Sequence, residues 1–135
     1  MSVKVYRATT EGIRVHVRSR FEREFSRPQD RKFIFSYRII IENRSQQSIQ
    51  VLKRKWNIVD ALGHCRKVVG NGVVGVQPEI LPGRVFEYDS ACDLACGVGA
   101  MSGTYVVKHN RLFGRALPFE VTIPSFQLEA PWAMN

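Results

Sequence analysis

Residues 12–21, GIRVHVRSRF, set Ile13, Val15 and Val17 on one side of the chain and Arg14, His16, Arg18 and Arg20 on the other. Successive side chains of a strand point to opposite faces, so a period of two reads as a half-buried β-strand with a row of cations facing water. The same period recurs downstream. KFIFSYRIIIEN (32–43) alternates Phe33, Phe35, Tyr37, Ile39 and Ile41 against Ile34, Ser36, Arg38 and Ile40. Both of its sides are apolar enough for a long central strand. Residues 49–69, IQVLKRKWNIVDALGHCRKVV, read as two strands joined by a tight turn near Asp60 to Gly63, with Trp56 and Ile58 on a core side. RVFEYDSA (84–91), TYVVKH (104–109) and LPFEVTIPSFQL (117–128) supply further strands, the last presenting Leu117, Phe119, Val121 and Ile123 on one face.

Between them, EREFSRPQDRK (22–32) and RSQQS (44–48) read as loop and turn, and CGVGAMSG (96–103) as a flexible connector. The tail EAPWAMN is expected to be loosely held. No window shows helical spacing with caps. Six to eight strands with turn chemistry between them predict an all-β sandwich or barrel.

A length of 135 residues fits a single domain over 1–135, with its core at about 12–131. Hydrophobic residues are 44% and charged ones 24%, ordinary for a globular chain. Apolar runs such as Ile39-Ile40-Ile41 fall far short of a membrane span, and the N-terminus has no secretory h-region, so a cytoplasmic protein is expected. Three cysteines (Cys65, Cys92, Cys96) fit free thiols in a reducing compartment. One Cys-x3-Cys without a second pair predicts no metal site and no cofactor.

The net charge of +8 is one-sided: residues 1–55 hold 14 Lys/Arg against five Asp/Glu, and residues 56–135 hold six against seven. Such a field attracts acidic proteins, phosphates or nucleic acid. The cations Arg14, Arg18, Arg20, Lys53 and Lys55 form the candidate basic interaction face.

VVGNGVVGVQP (68–78) carries Gly70, Gly72 and Gly75 at the spacing of a dinucleotide-binding loop. That loop works when its third glycine opens a helix whose N-terminal amides receive a pyrophosphate. Here Pro78 and Pro82 forbid the helix, and no Lys-Ser/Thr follows for a Walker A loop. A helix-free nest of amides, with Gln77, Arg66 and Lys67 nearby, is the candidate anion site. A corner between two sheets is the structural alternative. Ser90 beside Asp89, with His64 and His109, lacks the Gly-x-Ser-x-Gly elbow, and the twelve acidic residues form no catalytic pairing motif. The chain therefore reads as a non-enzyme. Cations beside aromatics, as in KRKW (53–56), leave nucleic-acid binding as a third reading.

RKWNIVDALG, VVGNGVVGVQPEILPGRVFEY, GAMSGTYVV and FEVTIPSFQL, in that order, resemble the ApaG family (the DUF525 domain) from about residue 12 to 131. The resemblance implies a fibronectin type III or immunoglobulin-like β-sandwich of about seven antiparallel strands in two sheets. It implies no family-wide reaction, a link to cobalt and magnesium tolerance, and protein–protein interaction, the role to which eukaryotic members point. Asn71 and Val76 stand where bacterial members often carry acidic residues, and Lys55 where an aromatic is usual. The leading expectation is a non-enzymatic cytoplasmic module with a protein partner. A nucleotide or dinucleoside polyphosphate sensor at Gly70, Gly72 and Gly75 is the alternative.

Overall fold

The structure, a computed structural model, describes residues 4–111 and 113–131. Nine strands follow in order: β1 (Tyr6–Thr10), β2 (Ile13–Phe21), β3 (Phe33–Asn43), β4 (Ile49–Asp60), β5 (Cys65–Asn71), β6 (Glu79–Ile80), β7 (Val85–Leu94), β8 (Val98–His109) and β9 (Phe119–Glu129). One antiparallel sheet runs β1-β2-β3-β7, and the other β5-β4-β8-β9, with β6 lying along the start of β4. The expected all-β sandwich of two sheets is thus what the chain forms.

Alternation places the core. Ile13, Val15 and Val17 of β2 and Phe35, Ile39 and Ile41 of β3 are buried against Trp56, Ile58, Tyr105, Val121 and Phe126 of the second sheet. Each fully buried apolar side chain contributes about 1.5–3 kcal/mol, so this cluster dominates the favourable free energy. Tyr37, Trp56 and Phe126 pack with ring centroids 5.6–6.0 Å apart, which makes them core.

The period breaks twice. Val51 pairs with Val107 but Lys53 with Val106, so Leu52 is an extra residue in β4. Inward positions change there from Ile49 and Val51 to Trp56 and Ile58. In β9, Pro124 and Ser125 occupy the span opposite Ser102, and burial passes from Val121 and Ile123 to Phe126 and Leu128. A β-bulge shifts the alternation by one residue and lets both halves of the strand bury their apolar side chains.

The β4–β5 turn lies at Asp60 to Gly63 as expected. Asp60 Oδ1 accepts the Leu62 and His64 amides at 2.9 and 3.0 Å, and Oδ2 lies 2.9 Å from His64 Nδ1. Burial pushes this carboxyl up, but the bonds from the His64 amide and ring and the Leu62 amide outweigh it and hold the group below its ordinary value.

Several expectations are corrected. Strand structure begins at Tyr6, because β1 pairs with β2 along Tyr6 to Thr10 and Tyr6 packs on Phe126. Residues 98–103 are the start of β8, not a connector. Leu117 is 79% exposed and outside β9. Of the tail, Glu129 ends β9 and Ala130 is fully buried, its amide bonded to the Gly97 carbonyl at 2.7 Å. Trp132 and the residues after it lie outside the described residues. No helix among the described residues is long and apolar enough to cross a membrane.

One side of the sandwich is closed. β9 packs on β1 and β2, Ser19 Oγ donates to the Gln127 carbonyl at 2.9 Å, and the Thr122 amide donates to Thr10 Oγ1 at 3.1 Å. On the other side each sheet ends in a strand with one edge unpaired among the described residues, β5 below and β7 above.

Candidate functional site

The glycine loop lies where two short pieces meet one long strand. Asn71 of β5 pairs with Lys53, and Glu79 of β6 pairs with Gln50, so Val51 and Leu52 of β4 have no strand partner on this edge. The loop supplies the missing bonds. The Gly72 amide donates to the Leu52 carbonyl at 2.7 Å, Gln77 Nε2 donates to the same oxygen at 3.0 Å, and the Val51 amide donates to the Pro78 carbonyl. Between them Val73 and Val76 exchange amide–carbonyl bonds of 2.8 and 3.0 Å around Val74 (φ +42°) and Gly75 (φ +81°). Two consecutive residues at positive φ within a two-residue hairpin are the signature of a type I′ turn.

Each predicted loop residue therefore has a mechanical role. Gly70 leaves room for the Arg54 guanidinium, which would lie 2.7 Å from any added Cβ and which donates to the Asn71 and Gly72 carbonyls. The amides of Gly72, Val73 and Val76 are bonded within the chain. The cation at the loop is Arg54, a residue not singled out from the sequence. Arg66, across β5 from Ile58, turns its guanidinium to Asp93, with Nη1–Oδ1 at 3.2 Å and Nη2 donating to the carbonyl at 2.6 Å. Lys67 lies on the opposite face of β5. Of the six residues expected at one anion site, Arg66, Lys67 and Gly70 lie on β5, on two faces and roughly 13 Å from end to end, and Gly72, Gly75 and Gln77 lie in the loop beyond it.

The five expected basic-face residues also separate. Arg14, Arg18 and Arg20 point outward from the first sheet, because Ile13, Val15 and Val17 point inward. Lys53 and Lys55 point outward from the second, opposite in phase to Trp56 and Ile58. They occupy opposite outer faces of the sandwich, so they form two surfaces. The first is interleaved with acid: His16 meets Glu42 at 3.1 Å, Arg20 meets Glu22 at 3.6 Å, and Arg38 bridges Glu87 and Asp89. A shallow cavity of about 390 Å³ lies there between Arg18, Arg20, Glu22, Arg38 and Asp89.

What the tertiary structure does bring together is the open side. Between β5 and β7 a cleft of about 310 Å³ is lined by Tyr37, Arg54, Trp56, Arg66, Ser90 and Cys92, and the Arg66–Asp93 pair crosses its lower end. Deeper, the hydroxyls of Tyr88 and Tyr105 bond to each other across the two sheets. Burial raises all three tyrosines, Tyr37, Tyr88 and Tyr105, and raises the Cys92 thiol to about 11.

These shifts set an alkaline limit. A folded-state pKa above the unfolded value means that the folded chain keeps protons the unfolded chain has released, so stability falls as pH rises through that interval. Stability from Cys92 is present below its reference of 9.0 and is lost toward 11, and the tyrosine contribution is lost above their reference of 10.0. Urea midpoints are expected to hold from neutral pH to about 9 and fall steeply beyond. A midpoint unchanged from pH 8 to 11 would contradict this placement of the four groups.

The β5 edge is the other feature the sequence did not announce. The Asp60 amide donates to the His64 carbonyl, and the Gly72 amide to the Leu52 carbonyl. In an antiparallel pair the bonded positions alternate, so His64, Arg66, Val68, Gly70 and Gly72 face β4. Lys67 and Val69 therefore direct their backbone N–H and C=O groups outward, and Val69 is 66% exposed.

The comparisons agree with this architecture. The family described as "DUF525: ApaG domain" matches residues 23–109. "Protein ApaG" of Brucella anthropi is 42% identical over 127 residues, 94% of this chain and 95% of that one. Its counterpart in Mesorhizobium japonicum is 38% identical over the same shares. The crystal structure of the putative ApaA protein from Bordetella pertussis superposes with a TM-score of 0.81 at 36% identity, covering 93% of this chain and 96% of that one. On the fold, the motif order and these matches, the chain belongs to the ApaG (DUF525) family.

Proposed function

We propose that residues 1–135 are a single non-enzymatic, cytoplasmic binding module whose ligand is a protein. The observation that carries this reading is the open side of the sandwich. There two sheet edges end beside a cleft, and one of them, β5, is seven residues long and pairs, among the described residues, with β4 alone. An unpaired edge is a template for another chain and is normally short, covered or blunted. β5 carries two charges: Arg66 is held by Asp93, and Lys67 has no ion-pair partner among the described residues, so it repels basic chains and admits acidic ones. Any link to cobalt and magnesium tolerance would act through that partner.

The test is affinity purification from native lysate with the wild-type chain, a charge-matched control protein and Val69→Pro. Proline on an outward-facing edge position removes a donor to a partner while sparing the β4 ladder. Proteins enriched by the wild type over the control and lost with Val69→Pro are the expected result. Equal recovery on all three would remove the proposal.

A further inference from the structure

We infer that the β5 edge takes up an extended acidic segment in which carboxylate side chains alternate with apolar ones, paired antiparallel to β5. This rests on the protein-binding reading above and adds the chemistry of the partner. An added strand has two faces, and here the two surroundings differ. On the outer face it lies beside Lys67 and Val69, with Lys55 and Lys53 on the next strand. Neither Lys53 nor Lys67 has an ion-pair partner among the described residues, whereas Lys55 is held by Glu120 at 2.6 Å. β5 and β8 contain no Asp or Glu, and β4 has only Asp60 at its far end. Side chains of one parity therefore meet lysine ammonium groups.

On the inner face the added strand lies beside Val68, at the mouth of the cleft floored by Trp56 and flanked by Ala91 and Cys92 of β7. Side chains of the other parity meet Val68, Ala91 and Cys92, with the Arg66–Asp93 pair closing one end of this stretch. The backbone groups of Lys67 and Val69 supply the ladder, and main-chain bonds of this kind give affinity while alternate side chains give specificity. β7 has no lysine or arginine of its own, and its Glu87, Asp89 and Asp93 already hold Arg38 and Arg66, so its edge offers an acidic segment no unpaired cation. That asymmetry selects β5.

The chain's own β7, VFEYDSACDL, has a similar alternation, so a second copy is the competing occupant. A net charge of +8 on each copy opposes that pairing and favours an acidic partner from another chain.

The probe is an acetylated and amidated heptapeptide that alternates glutamate with valine, titrated into the isotope-labelled full chain. Controls are a peptide of the same composition with the two residue types in separate blocks, and an alternating lysine–valine peptide. The expected result is saturable movement of the Lys67 and Val69 amides with the alternating acidic peptide alone. Affinity should fall roughly tenfold or more in Val69→Pro and in Lys67→Glu, both checked for a native spectrum. No saturation, equal binding of the block peptide, or an amide pattern showing β5 already paired in a dimer overturns the inference. If the peptide fails while lysate capture still depends on Val69, the acidic pattern is wrong and the protein-binding reading survives. If capture is also independent of Val69, both fall.

Discussion

Asn43→Leu is expected to lower the unfolding free energy by about 2–5 kcal/mol, a large effect for a substitution of similar volume. Asn43 ends β3 and has no exposed surface. Its Nδ2 donates to the carbonyls of Gln47 (2.8 Å) and Ile80 (2.9 Å), and its Oδ1 accepts from the Ser45 amide (2.9 Å) and hydroxyl (2.6 Å). One side chain thus ties the β3–β4 turn to β6. Leucine fills the space and answers none of these groups. The Ile80 carbonyl lies in the buried part of the network and loses its bond from Asn43 outright, whereas the Gln47 carbonyl and the Ser45 amide and hydroxyl are half-buried and lose theirs in part. Each buried group left unpaired costs about 1–3 kcal/mol, which sets the range. Urea unfolding of the two proteins measures it, and a difference below about 1 kcal/mol would show that the network relaxes without its centre.

Gly72→Ala is expected to cost about 2–4 kcal/mol, while Gly75→Asn stays within about 1 kcal/mol of the wild type. Both positions have positive φ, +61° and +81°. They differ in space: a Cβ on Gly72 would lie 2.0 Å from the Val76 carbonyl oxygen, and one on Gly75 would meet nothing within 4 Å. Relieving the clash at Gly72 moves the amide that bonds Leu52, so the loop detaches from β4. Asparagine tolerates the left-handed region at Gly75 and projects into solvent. Parallel urea titrations decide the matter, and equal losses at the two sites would refute the assignment of Gly72 to the β4 edge.

Much of the fold was legible. β2 and β3 lie within a residue or two of their predicted ranges because Ile13, Val15, Val17 and Phe35, Tyr37, Ile39, Ile41 keep strict alternation. The turn at Asp60 to Gly63 carries its own side-chain bonds. Within 96–103, residues 98–103 read as connector because glycines signal loops, and only Cys96 and Gly97 lie outside β8. In β8, Gly103 instead stands where a Cβ would lie 2.0 Å from the Lys55 carbonyl, so the strand needs a residue without one. The two bulges were illegible for a related reason: a shifted period at Leu52 or Pro124 resembles noise until the partner strand is known. Leu117 was assigned to a face by extending a pattern past the strand's true start at Phe119.

Sequence by itself determined the all-β class, the core residues of the strictly alternating strands, the impossibility of a helix after Gly75 and the family, since each depends on local period, on φ, or on motif order. Only the tertiary structure decided that Arg14 and Lys53 face opposite ways, that Arg54 rather than Arg66 serves the glycine loop, that Asn43 is a buried hub, and that β5 ends a sheet. Those properties depend on which strands become neighbours and on which edge remains unpaired. Pairing between distant segments is set by burial of the whole core, and no short stretch of the chain encodes it.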